Sequence, residues 1–147
     1  MRHVARAKMR ERREKEDWRA TYLQEIFMQI IRWKFENAEV IMMEDKTELY
    51  TTTPIIAAAL NVAENTLRNI YLSRKEDFNG NCANSMGAIE FLKQHRGELG
   101  LKYVRGDMHL WTEDDLITFI VVSRTEQGRE FRKAFRAFVK EHRTKNL

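Results

Sequence analysis

Amide and guanidinium side chains are concentrated in one short stretch of the chain, between Glu64 and Lys75. Asparagine can form two hydrogen bonds with adenine, and arginine can do the same with guanine. Threonine and lysine commonly contact phosphate oxygens. These residue types together therefore predict a surface that contacts nucleic acid. Its candidate residues are Glu64, Asn65, Thr66, Arg68, Asn69, Arg74 and Lys75.

Two short helices are predicted to position these side chains. Thr53 suits a helix N-cap and Pro54 the first helical position, and Asn61 is a residue that can end a helix in the left-handed conformation. A second helix is expected over residues 64–73. A pair of short helices elsewhere in a small domain can give the same pattern, so a purely structural role stays open. A helix-turn-helix requires a small residue where the helices touch, a residue that makes the turn, and apolar residues that face inward. These positions are filled by Ala57, by Asn61, and by Val62, Leu67 and Ile70, respectively.

Charge is divided unevenly along the chain. Residues 1–19 hold eight Lys or Arg against four Asp or Glu, and residues 123–147 hold eight against three. Residues 20–122 hold ten against fifteen. Basic ends suit a polyanion such as DNA. In the second basic end, Arg132 and Arg136 are candidate DNA contacts on a helix predicted over residues 126–142, and a solvated helix face is the alternative.

The N-terminal part of the chain is predicted as one long helix. Residues 2–37 contain neither Gly nor Pro, and apolar residues recur at helical spacing from Trp18 to Phe35. The first half of this helix, to about Lys15, is expected to be a basic arm. The apolar stripe predicts core packing or, alternatively, a dimer interface. The sequence therefore divides into an arm and helix over 1–39 and a DNA-binding domain over 40–147.

Two β-hairpins are also expected. Residues 40–43 and 49–52 are β-prone runs around a polar turn, and residues 101–104 and 108–111 alternate around Arg105-Gly106-Asp107. The second hairpin would lie like a wing beside the helix pair. Arg105 at its tip is a further candidate DNA contact, and an ordinary surface turn is the alternative.

The predicted fold class is α+β and helix-rich, with a helix-turn-helix, one or two β-hairpins and a long N-terminal helix. Thr112 is expected to cap a buried helix, with Asp115 completing a capping box. The longest apolar run, Ile55 to Leu60, is far too short to span a membrane.

Two sets of short motifs carry a resemblance to a known family. The first contains Leu49-Tyr50-Thr51-Thr52-Thr53, Leu60-Asn61-Val62 and Leu67-Arg68, and the second contains Leu110-Trp111-Thr112-Glu113 and Arg136-Ala137-Phe138-Val139. The chain resembles in these motifs the N-terminal domain of phage antirepressor and regulatory proteins of the Bro-N, KilA-N and Rha types. The resemblance implies a small DNA-binding domain from a phage or prophage that acts in gene regulation. The chain departs from the family in its long helical extension and in stopping where many relatives continue into a second domain.

Residues for catalysis or metal binding are not grouped in the sequence. The four histidines and the single cysteine, Cys82, show no metal-ligand spacing, and neither a glycine-rich phosphate loop nor a nucleophile elbow is present. We therefore expect no enzyme activity, cofactor or metal. The lone cysteine favours a reducing compartment, here the bacterial cytoplasm.

The function predicted from these features is sequence-selective binding of double-stranded DNA by a dimeric transcription regulator. Residues 64–73 would enter the major groove, and Lys75, Arg105 and the basic ends would contact phosphates. The alternative is a phage-encoded inhibitor that binds a repressor or another host protein without reading DNA. The acidic middle of the chain and the long N-terminal segment favour that alternative.

Overall fold

The structure is a computed structural model that describes residues 28–145. It is an α+β fold, as predicted, in which four strands form an antiparallel sheet in the order β1-β2-β3-β4. The elements of the described part are β1 (Met28–Phe35), β2 (Ala38–Asp45), β3 (Glu48–Thr51), α1 (Thr53–Leu60), α2 (Glu64–Ser73), a short 3-10 helix (Lys75–Asp77), α3 (Ile89–Gln94), β4 (Trp111–Thr112), α4 (Glu113–Ser123) and α5 (Glu126–Lys145).

Strand β1 occupies the end of the segment that was expected to be helical, so the long-helix prediction is wrong for residues 28–37. All of β1 pairs with β2, from Met28 opposite Asp45 to Phe35 opposite Ala38. The chain reverses between these strands at Glu36, which has a φ of 53°. The hairpin joins residues on both sides of the predicted division at residues 39 and 40. The rest of the predicted helix and the basic arm lie outside the described residues.

An aromatic cluster explains why β1 is a strand. Side chains two residues apart lie on the same face of a strand, so Trp33 and Phe35 project together. The Trp33 ring lies 5.5 Å from that of Phe131 and 5.1 Å from that of Phe138, and the Phe35 ring lies 5.0 Å from that of Phe131. Burying these rings against α5 outweighs the helical spacing of the same apolar residues.

The first predicted hairpin is confirmed by β2 and β3. Four consecutive residues of β2, Val40 to Met43, are buried, so both faces of this strand are covered. Helix α1 packs against β2, and α5 packs against β1. The core therefore lies between the sheet and the helices.

The second predicted hairpin is wrong. Residues 101–104 form no strand, and β4 pairs instead with β3. The backbone of residues 106–110 bonds to residues 81–84: the Leu110 N–H donates to the Asn81 carbonyl at 3.0 Å, and the Asn84 N–H donates to the Gly106 carbonyl at 2.9 Å. The partner of this segment is thus a loop distant in sequence.

The predicted capping box at the start of α4 is confirmed. The Asp115 N–H donates to the Thr112 hydroxyl at 3.2 Å, and the Thr112 N–H donates to the Asp115 carboxylate at 3.1 Å. The same carboxylate accepts a hydrogen bond from the Asn79 N–H at 2.9 Å. Asp115 therefore joins the loop after α2 to α4. No helix in residues 28–145 combines the length and the apolar character needed to cross a bilayer.

Candidate nucleic-acid interface

The turn between α1 and α2 is fixed by Asn61. This residue lies in the left-handed region, with φ 55° and ψ 48°. Its N–H donates to the Ala58 carbonyl at 3.3 Å, and the Val62 N–H donates to the Ala57 carbonyl at 3.0 Å. This pair of bonds is a Schellman motif, which satisfies the last carbonyls of α1. The two helices are present where the sequence predicts them, and α2 begins three residues after Asn61.

The inner face of α2 is held by an aromatic cluster. Leu67 is only 1% exposed, and Tyr71 packs beside it against the core. The Tyr71 ring lies 5.5 Å from Phe78, 5.3 Å from Trp111 and 4.5 Å from His109. These contacts fix the rotation of α2 about its own axis, so its outer face is presented to solvent in one orientation.

His109 is the titratable member of this cluster. Its ring stacks on Trp111 at 4.8 Å, and its Nδ1 atom is buried without a hydrogen-bond partner in the described part of the chain. Burial lowers the pKa of His109, Asp107 and Asp115 act in the opposite direction, and Lys75 lowers it further. The neutral imidazole is therefore the form that the cluster favours.

The outer face of α2 carries the predicted base contacts. Asn65, Arg68 and Asn69 are exposed, and within residues 28–145 none of their side chains forms a hydrogen bond or an ion pair. Glu64 and Thr66 are exposed on the flanks of the same face. The structure thus leaves free the donors and acceptors that base recognition would require.

Leu72 is a member of this face that the sequence prediction omitted. It is 50% exposed, and it follows Asn65, Arg68 and Asn69 at the helical spacing of i, i+3, i+4 and i+7. That spacing is the signal that identifies it. An apolar side chain among amide and guanidinium groups can contact the methyl group of thymine.

The surface around α2 carries no net charge. Arg68, Arg74 and Lys75 are balanced by Glu64, Glu76 and Asp77 over residues 64–77. Arg74 is moreover paired with Asp77, with 4.0 Å between the guanidinium nitrogen and the carboxylate oxygen. Long-range attraction of phosphate therefore cannot come from α2 and its end, because such attraction requires excess positive charge.

Arg105 lies in the loop that replaces the predicted wing. Its guanidinium carbon lies 5.9 Å from the centre of the Tyr103 ring, which is itself exposed. His109, four residues after Arg105, lies with its ring 4.5 Å from that of Tyr71, so the end of this loop packs beside α2. Within residues 28–145, the Arg105 side chain forms no hydrogen bond or ion pair with α2.

Arg132 and Arg136 lie on α5. They are brought together with Arg129 and Lys133, and these four residues line one concavity. No hydrogen bond or ion pair in the described residues joins this group to Asn65, Arg68 or Asn69. The predicted site residues therefore lie on three parts of the chain: α2 with the residues directly after it, α5, and the loop that contains Arg105.

Comparison of the chain with known proteins finds no relative. The chain matches no protein-family model, no curated protein and no solved structure. Among residues 28–145, no three His, Cys, Asp or Glu side chains are grouped so that they could hold a metal ion.

Proposed function

We propose that this protein is a sequence-selective regulator that binds double-stranded DNA, with α1 and α2 acting as a helix-turn-helix. The observation that carries the proposal is the face of α2 formed by Asn65, Arg68 and Asn69. These groups are exposed and unengaged, whereas the opposite face of the helix is packed against a rigid aromatic cluster. Preorganised polar groups of this kind bind without first having to break contacts within the protein.

The dimensions of α2 support this role. Its ten residues give a length of about 15 Å at 1.5 Å per residue, and a helix fits the major groove, which is about 12 Å wide. In a helix-turn-helix, residues near the start of the second helix reach the base edges. Asn65, Arg68 and Asn69 lie in the first two turns of α2. We assign them base contacts, and we assign Lys75 and Arg105 phosphate contacts.

The resemblance to Bro-N, KilA-N and Rha domains supports the biological setting of the proposal. It favours a phage or prophage protein that controls transcription in the cytoplasm of a bacterial host. The free polar face of α2 supports direct binding of DNA over inhibition of a protein partner. A surface that docks a protein usually has several apolar anchors at its centre, whereas Leu72 is the one exposed apolar side chain that we assign to this face.

The test is to select binding sites from random duplex DNA and then to compare two variants on the selected site. Arg68→Ala should lower affinity by about 1–3 kcal/mol and relax preference at one base pair, because a bidentate base contact is lost. Lys75→Ala should weaken binding to all sequences alike. Arg96→Ala, which removes an exposed arginine after α3, is the matched control and should change neither property.

Two results would overturn the proposal. One is the absence of any DNA binding at about 50 mM salt, where phosphate contacts are strongest. The other is an equal effect of Arg68→Ala and Arg96→Ala on sequence preference. A stoichiometric protein partner that survives nuclease treatment, together with either result, would support the inhibitor alternative.

A further inference from the structure

Within residues 28–145, the positive charge is concentrated on α5. This helix carries seven Lys or Arg and three Glu, an excess of four, whereas the rest of residues 28–145 holds eleven Lys or Arg against fourteen Asp or Glu. Phe131, Phe135 and Val139 form the buried face of the helix. At 100° per residue, four exposed cations project from the side away from these apolar residues, namely Arg129, Lys133, Arg136 and Lys140. A fifth cation, Arg132, lies at the edge of this group next to Val139 and is only partly exposed.

These five cations differ from the other two Lys or Arg residues of α5, Arg143 and Lys145, in having no ion-pair partner within residues 28–145. At the end of the helix, Arg143 pairs with Glu113, and Lys145 lies 3.1 Å from Glu141. No ion pair within residues 28–145 engages any of the five. Their mutual repulsion is therefore not relieved inside the described part of the chain.

Four of the five line a concavity of about 320 Å³, and no other residue of the described part of the chain contributes to its wall. Within the described residues, the Nε atom of Arg132 is buried and has no hydrogen-bond acceptor. A buried donor without an acceptor is unfavourable, because it has given up its bond to water. The Nε atom gains an acceptor only if the Arg132 side chain moves so that this atom reaches a ligand oxygen in the concavity.

We propose that this concavity binds phosphate groups of the DNA backbone and supplies affinity that does not depend on sequence. Three of its four lining residues are arginines, whose planar guanidinium groups match phosphate oxygens in a bidentate manner. Much of the wall is formed by the methylene groups of these arginine and lysine side chains, and no described residue with an aliphatic or aromatic side chain contributes to it. The surface therefore lacks the large apolar anchors that an acidic protein partner would need.

The extent of the surface fits a DNA strand. The five cations cover residues 129–140, which is about 16 Å at 1.5 Å per residue. One strand of a duplex places about five phosphates over that length, at about 3.4 Å of axial rise for each. The proposal rests on the proposed function, because duplex DNA is the ligand. The proposal assigns the long-range attraction of phosphate to α5, because the surface around α2 has no net charge and does not provide it.

The test measures how binding of a short random-sequence duplex by the full chain depends on salt. In the triple variant Arg129→Gln, Lys133→Gln, Arg136→Gln, the slope of log affinity against log salt should become shallower by about 2 to 3, since each phosphate contact contributes about 0.9. All three residues are exposed, so circular dichroism should show an unchanged fold. The matched control removes three exposed lysines elsewhere, with Lys34→Gln, Lys93→Gln and Lys102→Gln, and should change the slope by less than 1.

A second variant tests the buried nitrogen. Arg132→Lys keeps the charge but removes the guanidinium group, so affinity for the duplex should fall by up to about tenfold while the slope stays within about 1 of the wild-type value. An affinity equal to that of the wild type would remove Arg132 from the site.

The outcomes separate this site from the function on which it rests. Equal slopes for the triple variant and its control would overturn the α5 site, even if α2 still selects a sequence. A shallower slope in a protein without sequence preference would support the site and overturn the regulator. Binding of polyglutamate as tight as that of DNA, and equally lost in the triple variant, would overturn the assignment to phosphate in favour of an acidic protein.

Discussion

Leu72 has a defined partner in DNA if α2 enters the major groove, because thymine places its methyl group there. Replacing thymine by deoxyuridine in a selected site removes only that methyl group. The wild-type protein should then lose about 0.8 kcal/mol, the value of one buried methylene. The Leu72→Ala variant should show no such loss, and its own stability should change by less than about 0.5 kcal/mol, because the side chain is half exposed. Titrations of both proteins with both DNAs measure the coupling free energy between Leu72 and the methyl group. An equal loss of binding free energy in the two proteins would show that Leu72 does not contact the methyl group.

His109 makes stability depend on pH. Burial lowers its pKa below the ordinary value of 6.5, so the unfolded chain takes up a proton at a higher pH than the folded chain does. Stability contributed by the neutral ring is therefore present above pH 6.5 and is lost as the pH falls below that value towards the folded pKa. His109→Phe keeps a ring in the stack and removes the titration, so its unfolding free energy should fall less between pH 7 and about pH 5.5 than that of the wild type. Urea unfolding at the two pH values measures this difference, and parallel losses would assign the acid sensitivity to other groups.

At the scale of elements, the β1–β2 hairpin depends on a left-handed residue that is not glycine. Glu36 is exposed and has a φ of 53°, which an L-residue adopts at a cost that glycine avoids. Glu36→Gly should therefore raise the unfolding free energy by up to about 1 kcal/mol. Lys34→Gly, at an exposed position inside β1, should lower it by about 0.5–1 kcal/mol. Chemical denaturation of both variants checks the signs, since a helical segment would be destabilised by both changes.

The turn between α1 and α2 has the same requirement at Asn61. Asn61→Gly should leave stability nearly unchanged, whereas Asn61→Val should cost about 1–2 kcal/mol, because a β-branched residue resists the left-handed conformation. Thermal unfolding of the pair gives the difference directly. If both variants were equally stable, the Schellman motif would not be the feature that holds the two helices together.

The elements that could be predicted from the sequence are those with local signals. Pro54, Asn61 and the Thr112–Asp115 pair mark the ends of α1 and the start of α4, and the structure confirms these helices. Strand β1 could not be predicted in this way, because its turn at Glu36 lacks glycine and its pairing with β2 buries rings against the distant helix α5. The segment 106–110 was assigned the wrong partner because residues 81–84 have no strand pattern.

The candidate site could be predicted only in part for a similar reason. The inward position of Leu67 identifies which residues of α2 face outward, so the exposed positions of Asn65 and Arg68 can be predicted from spacing alone. The unpaired state of the α5 cations could not be found, because it depends on where the acidic residues of other elements lie. Glu113 comes from α4 and engages Arg143 rather than the cations of the concavity.

At the scale of the whole molecule, one copy of α2 offers few groups for base recognition. We therefore propose that two copies bind together and read an inverted repeat, with half-sites about 34–36 Å apart, one turn of the duplex, or at multiples of that distance. Sedimentation of the complex with a selected site should show a protein mass twice the 17.6 kDa of one chain. One chain bound to a single half-site would contradict this expectation.

The separation of charge between two helices has a kinetic consequence under the proposed function. Because α5 carries an excess of four positive charges and α2 carries none, the time spent on an unrelated sequence depends on the cations of α5, together with Lys75 and Arg105, and on the ionic strength, whatever the bases are. The protein can then slide along the duplex without contacts between α2 and the bases. At a matching sequence, α2 forms polar contacts with the bases that salt barely screens, and these contacts keep the protein bound for longer. Substitutions on α5 would thus change how fast a target is found, whereas substitutions on α2 would change how long it is held.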